Sequence, residues 1–324
     1  MTKAIALFSG GLDSILAAEV VRRQNIEVLG LTFETPFFTA KKAGEAARQI
    51  NLQLIVDNFT ADHLAMLKSP RYGYGKNMNP CIDCHTLMLK FAGKKMEETG
   101  ADFIITGEVL GQRPMSQNKQ SLFVVARNSG YPDYILRPLS ALLLEPIKAE
   151  REGKIDRSRL LAISGRGRKP QMQLALDFGI SNYAPPAGGC LLTDAIFTRR
   201  LRDLFSHAED RSIRDIELLK YGRHFRINEN SKIIVGRNKA DNNAMQTLVQ
   251  ENDLVLYMAD FPGPQVLVPY GGDEFIVGTA AALCVRYSDA PDDQEARVMC
   301  ESGSTSTAIN TKAAAREDCE RWII

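Results

Sequence analysis

Over roughly the first 140 residues the chain alternates short apolar runs with amphipathic segments, and few folds satisfy that order. "KAIALF", "EVLGLTFE", "LQLIVDN" and "ADFIITGE" read as strands. Between them, "SILAAEVVRRQ", "KKAGEAARQI" and "TLMLKFAGKKMEETG" carry apolar residues at helical spacing, the last ending on a glycine suited to a helix C-terminus. Strands joined through helices must lie parallel, with right-handed crossovers that cover both faces of the sheet. The expected fold class is therefore α/β, a doubly wound parallel sheet. Ligands of such sheets bind beyond the carboxyl ends of the strands, so the residues that follow strands carry the functional question.

A second character begins near residues 205–220. From "GRHFRINENSKIIVGRN" onward short strands, turn residues and one helix predict a smaller α+β C-terminal domain. The expected division is 1–205, 206–290 and a tail at 291–324. "NYAPPAGGC" at 182–190 reads as an ordered turn. Residues 145–170 are rich in Lys and Arg and read either as a solvated helix and loop or as a phosphate-binding surface.

Bulk composition restricts little else. With 44% hydrophobic residues the chain can build two cores, and a net charge of +1 selects no partner by itself. No apolar run reaches the roughly 18 residues of a membrane span, so no membrane partner is expected. The N-terminal segment lacks the order of a secretory signal, and a cytoplasmic protein is expected. Six cysteines are too few for a disulfide scaffold and read as thiols, metal ligands or catalysts.

The most informative stretch is "LFSGGLDSIL" at 7–16. A glycine-rich turn between strand and helix aims backbone N–H groups at one point, and the helix dipole adds to them. Serine hydroxyls supply further donors, which makes a nest for phosphate. The spacing is not that of a Walker A loop, and its lysine is missing. A plain glycine turn, with Ser9 or Asp13 capping the helix, is the alternative.

Among the cysteines, "NPCIDCH" sets Cys81 and Cys84 in a CxxC, and Cys190 follows a Pro- and Gly-rich bend. Cys284 lies in "AAALCVRY", read as an apolar strand with a buried thiol, and Cys300 and Cys319 receive no role. Three thiolates suit a [4Fe-4S] cluster with one open iron, a redox trio that carries a persulfide, or a structural site. His85 adjoins the pair, but adjacent residues rarely chelate one ion.

The segment "SGGLDS" resembles the pyrophosphate-binding loop of the N-type ATP pyrophosphatases, of adenine nucleotide alpha hydrolase-like fold. That resemblance implies ATP binding by Phe8, Ser9, Gly10, Gly11, Leu12, Asp13 and Ser14, with Asp13 helping to hold Mg²⁺. Phe33, taken to lie just after the second strand, would meet adenine through its backbone, with a core aromatic as the alternative. "ITGEVLGQRPMSQ" and "LRPLSALLLEPIK" resemble the matching stretches of tRNA 4-thiouridine synthetases. Thr106, Gly107 and Gln112 are then further nucleotide contacts. Glu108, Ser116 and Gln117 would orient base or ATP or support the loop, and Arg113 and Arg137 would contact phosphate. The chain opens at the loop, without the RNA-binding part or the rhodanese-like extension of those synthetases, and so resembles shortened, cluster-type thiolases with Cys81, Cys84 and Cys190 as both catalytic residues and ligands.

"YGRHFRINENSKIIVGRNKADNNAM" and "NDLVLYMADFPGPQVLV" resemble the RNA-binding module of NFACT proteins. Arg223, Arg226, Lys232, Arg237 and Lys239, with His224 between them, are the expected RNA contacts. Together these resemblances imply ATP-dependent thiolation of a tRNA uridine, 4-thiouridine first. A 2-thiolated base, another ligase on the same loop and a non-catalytic RNA-binding protein are the alternatives. The implied partners are tRNA, a sulfur donor (inorganic sulfide or a cysteine desulfurase) and a second copy of the chain.

Overall fold

The structure is a computed structural model that describes residues 1–183, 189–207 and 212–324. The larger part of the expected turn at 182–190 therefore lies outside the described residues. The chain divides into two compact units, Met1–Thr193 and Asp194–Ile324.

In the first unit the elements run in the order β1 (Lys3–Leu7), α1 (Leu12–Arg22), β2 (Glu27–Glu34), α2 (Lys41–Gln49), β3 (Leu54–Asn58), α3 (Thr60–Lys68), α4 (Cys81–Thr99), β4 (Phe103–Ile105), α5 (Lys119–Ser129), β5 (Ile135–Leu136), α6 (Lys148–Arg151) and α7 (Lys169–Asp177). The five strands are all parallel, in the order β3-β2-β1-β4-β5. The expected parallel α/β sheet is thus present. The chain leaves β1 for β2 on one side and returns as β4 on the other, so the strand order reverses at β1, the position where such sheets place ligands.

The two-residue period of β1 sorts its side chains between two cores. Ala4 and Ala6, with Phe8 beyond, join Leu12, Ile15 and Leu16 of α1, Ala43 of α2 and Ala175 of α7. Ile5 faces the opposite layer, with Leu89, Ala92 and Met96 of α4 and Val125 of α5. Burial on both faces explains why β1, β2 and β4 read as largely continuous apolar runs rather than alternating ones. Helix α4 stops where Gly100 takes φ 66°, a left-handed cap that closes the helix without steric cost. Helix α5 starts where the Asn118 side chain accepts the Ser121 N–H at 2.9 Å.

The second unit contains α8 (Ala195–His207), α9 (Ile213–Leu218), β6 (Arg223–Arg226), β7 (Lys232–Val235), α10 (Lys239–Gln246), β8 (Leu254–Met258), β9 (Val266–Val268), α11 (Glu274–Arg286), β10 (Ala296–Ser302), β11 (Thr305–Thr311) and α12 (Arg316–Trp322). Its six strands form one antiparallel sheet, ordered β11-β10-β8-β9-β7-β6, with α11 packed against it. Among the described residues no helix is long and apolar enough to cross a membrane.

Three local expectations change. The unit boundary falls before α8, not near 205, because Arg200 of that helix donates to the Leu219 and Gly222 carbonyls at 2.8 and 2.9 Å and ties it to the turn that leads into β6. Residues 291–324 supply β10, β11 and α12, so they complete the second sheet instead of forming a tail. Cys284 is fully buried as expected, but in the helix α11, not a strand. A short apolar run does not by itself distinguish the two.

Candidate active site

The glycine turn bridges β1 and α1 at the centre of the first sheet. Gly11 is the N-cap of α1 and no side chain caps the helix, so the alternative cap from Ser9 or Asp13 is not formed. Instead the Ser14 hydroxyl donates back to the Gly11 carbonyl at 2.8 Å and lies 3.4 Å from the Ser9 hydroxyl. The first turn thus has no side-chain cap; the Gly11 N–H lies 3.4 Å from the Ser9 hydroxyl, so two hydroxyls stand beside the helix start. Such a helix start suits an anion.

Two glycines allow this turn to exist. Gly10 has φ +74°, and a Cβ there would stand 2.4 Å from the Lys42 carbonyl oxygen at the start of α2. A Cβ on Gly107, just past β4, would stand 2.6 Å from the Ser14 nitrogen and 2.7 Å from the Asp13 carbonyl carbon. The end of β4 therefore rests on the first turn of α1, backbone against backbone. Phe8 and Leu12 are each 1% exposed, so they can offer a ligand only main-chain atoms.

Asp13 is held from one side only. The Gln112 amide donates to its Oδ2 at 3.0 Å, and Arg168 Nη2 stands 4.0 Å from the same oxygen. Its Oδ1 and the Arg168 Nε are both buried without a hydrogen-bond partner. A buried carboxylate oxygen left open beside a phosphate nest fits a hard cation, and Asp13 with Gln112 would flank it. Arg168 was not singled out from sequence. It lies in the basic segment, and only the fold brings it to Asp13.

Several other basic residues of 145–170 have intramolecular partners. Arg151 pairs with Asp133, Lys154 with Asp102 and Arg157 with Glu150, at 2.6, 2.6 and 2.5 Å. Arg137 is likewise not a phosphate contact. It is 7% exposed, and its Nε donates to Glu108 Oε2 at 2.9 Å. His85 Nδ1 lies 2.9 Å from the other Glu108 oxygen, and the Thr106 hydroxyl donates to Oε2 at 3.2 Å. Burial would raise the Glu108 carboxyl, but Arg137 and then His85 outweigh it and hold the group at about 2. Glu108 is thereby a fixed anion between Arg137 and His85. Ser116 and Gln117 are buried at 4% and 5%, and Gln117 Oε1 has no partner.

Phe33 lies within β2, not beyond it. Its ring is 4% exposed, 4.6 Å from that of Phe59, so the side chain belongs to the core.

Cys81 and Cys84 occupy the first turn of α4, and Cys190 precedes Leu191, whose N–H donates to the Phe37 carbonyl at 3.0 Å. The three thiols interact: burial, then Cys190 and Cys81, push the Cys84 thiol far up, while burial chiefly raises Cys190 to about 11. Among the described residues no group of three His, Cys, Asp or Glu side chains is gathered at ligating distance of a metal ion. In number and kind the thiols still match a three-cysteine cluster. His85 turns to Glu108 and away from the pair. His63, absent from the sequence reading, lies 3.5 Å from the Cys84 sulfur through Nε2. Burial among Phe37, Phe38 and Phe59 lowers it to about 4, so it stays neutral.

In the second unit the expected RNA contacts divide. Arg223 lies over the Tyr287 ring at 4.7 Å, and Lys239 is exposed at the start of α10. Arg226 makes a fork to Asp203 at 3.1 and 2.7 Å, and Arg237 another to Asp241 at 2.6 and 3.2 Å. Lys232 is buried in β7 between β6 and β9, so it is not a surface cation, and burial lowers its amine to about 8. His224 is fully buried, with its Nε2 2.8 Å from the Tyr221 carbonyl, and burial holds it well below the usual histidine range.

Comparison with known proteins matches both units. Residues 1–150 match the family model of the thiamine biosynthesis protein (ThiI), and residues 222–323 that of the NFACT protein RNA binding domain. A probable tRNA sulfurtransferase of Thermococcus kodakarensis is 30% identical over 154 residues, covering 45% of this chain and 39% of that protein. A tRNA-specific 2-thiouridylase MnmA of Clostridium acetobutylicum is 34% identical over 125 residues, 32% of this chain and 35% of that protein. The chain therefore spans well under half the length of these curated relatives. A solved 4-thiouridine synthetase–RNA complex with bound ATP aligns over 55% of this chain and 52% of that one, with a TM-score of 0.36 and 23% identity. Residues 1–150 are thus similar to the ThiI family and residues 222–323 to the NFACT RNA-binding domain.

Proposed function

We propose that the chain is an ATP-dependent tRNA sulfurtransferase that converts a uridine to 4-thiouridine. The observation that carries this reading is the uncapped start of α1 beside Asp13, whose Oδ1 is buried and open. The amides of residues 11–14 and the Ser9 and Ser14 hydroxyls hold the phosphates, with Arg168 as a further cation. Thr106, Gly107 and Gln112 close the other side of the nucleotide site.

The base carbonyl oxygen attacks the α-phosphate of ATP, and pyrophosphate leaves. Hydrosulfide then adds to the same carbon, and AMP departs with the oxygen. Donors positioned around the phosphates stabilise the charge that develops on the departing pyrophosphate. Asp13 and Gln112 would hold Mg²⁺, which supplies charge neutralisation. Cys81, Cys84 and Cys190 would hold a [4Fe-4S] cluster, which supplies a binding position for hydrosulfide, taken from inorganic sulfide or released from a cysteine desulfurase's persulfide by a thiol reductant. Arg223 and Lys239 bind tRNA phosphates without reading sequence.

The test is pyrophosphate release on addition of ATP, sulfide and bulk tRNA to anaerobic protein, with mass spectrometry of the digested tRNA. Thiouridine formed with one pyrophosphate per base supports the reading. ATP turnover with unmodified tRNA overturns it in favour of another ligase on this loop.

A further inference from the structure

A cleft of about 420 Å³ opens on the first unit, away from the glycine turn, between the loop before α4 and the exposed face of α5. Arg71, Tyr72, Phe123, Val124, Arg127 and Asn128 line it. Phe123 is 62% exposed and Tyr72 42%, a large apolar area to leave in water without a partner. The Arg71 guanidinium lies over the Tyr72 ring at 5.5 Å. Asn128 Nδ2 donates to the Tyr72 hydroxyl at 2.8 Å, so the ring is fixed before any ligand arrives.

The cations of this cleft are unneutralised. Among the described residues neither Arg71 nor Arg127 has a carboxylate at ion-pair distance, unlike Arg151 and Arg157. The two segments that build the cleft contain no acidic residue from His63 to Ile82 or from Val109 to Pro132. Over the same spans they carry Lys68, Arg71, Lys76, Arg113, Lys119 and Arg127. Exposed rings among unpaired guanidiniums are the composition of a surface for unpaired nucleic acid, where bases stack and phosphates pair with arginine. A protein partner would not require a surface so wholly stripped of acids. The cleft also connects to the thiols, because the Tyr72 N–H donates to Asp83 Oδ2 at 2.9 Å, in the turn between Cys81 and Cys84.

We propose that this cleft binds an unpaired segment of RNA, stacking a base on Phe123 or Tyr72 and holding its phosphates with Arg71 and Arg127. In the choice of tRNA as the natural ligand it rests on the proposed function; the binding itself does not. The binding partner would then be gripped at two places on one chain, here and on the second sheet.

The test measures binding of a short fluorescein-labelled oligouridylate and of an RNA duplex of equal length to the full chain. Arg71→Ala/Arg127→Ala weakens the single strand about tenfold, and Phe123→Ala by about fivefold or more, while the duplex is little affected by Phe123→Ala. All three side chains are exposed at the surface, and an unchanged melting temperature verifies the fold. Unaltered single-strand affinity in all variants overturns the proposal. Equal losses for duplex and single strand in Phe123→Ala overturn the stacking. Retained single-strand binding by a parent protein that forms no thiouridine overturns the proposed function and leaves this site standing.

Discussion

Gln112 holds Asp13 by one oxygen and leaves the other open. Its amide nitrogen donates to Oδ2 at 3.0 Å, while Oδ1 stays buried without a partner. Asp13→Asn keeps the size of the side chain and removes its charge. We expect pyrophosphate release in the presence of ATP and tRNA to fall by about a hundredfold or more, as for loss of other catalytic charge stabilisers. A melting temperature within a few degrees of the parent separates this from misfolding. Near-parental release would remove Asp13 from the mechanism.

Gly107→Ala places a methyl group against the Ser14 nitrogen, where no flexible side chain can give way. The backbone of β4 or of α1 must move, at a cost of about 1–3 kcal/mol. Isothermal titration should show ATP affinity lost by more than the stability loss explains, because on the proposed function the displaced atoms are the phosphate donors. Full retention of ATP affinity would show that the turn does not bind the nucleotide.

Glu108→Gln leaves Arg137 buried opposite a neutral amide, which predicts a loss of about 3–5 kcal/mol. The wild-type carboxyl titrates at about 2, below its ordinary 4.5, so its stabilisation is complete above about pH 4.5 and vanishes as pH falls towards 2. Urea unfolding at stepped pH should show this acid limb in the parent and a flatter one in Glu108→Gln. Identical acid limbs would place the pairing outside the stability of the fold.

Cys81→Ser, Cys84→Ser and Cys190→Ser should each abolish iron and acid-labile sulfide in anaerobically purified protein, together with absorbance near 400 nm. An iron-free parent that still forms thiouridine would assign these thiols to persulfide transfer.

In the second unit, Arg223→Ala and Lys239→Ala should each lower the slope of log K against log salt for tRNA binding by about one. Lys232→Met should leave that slope unchanged, because the amine is buried. A lower slope in Lys232→Met would place this lysine on the RNA.

The part of the molecule legible in the sequence divides from the rest along physical lines. Strands β1, β2 and β4 were readable because burial on both faces makes them largely apolar, while the edge strand β3 is only half-buried. The glycine turn was readable because only glycine tolerates Gly10's left-handed backbone and Gly107's contact. Pairings at a distance were not. Arg137 read as a free cation, yet its carboxylate lies 29 residues earlier in Glu108. Lys232 looked like part of a charged hairpin, because sequence shows no burial. Arg168 lay unremarked among basic neighbours until the chain's return brought it to Asp13.

The Glu108 triad has a consequence beyond stability. His85 belongs to the helix that opens with Cys81 and Cys84, Glu108 adjoins the Gly107 backbone that rests on Ser14, and Arg137 comes directly after the edge strand. A single anchored anion thereby fixes the spacing between the cysteine-bearing start of α4 and the glycine turn at the head of α1. On the proposed function, a base activated at the turn would meet the sulfur across a constant gap.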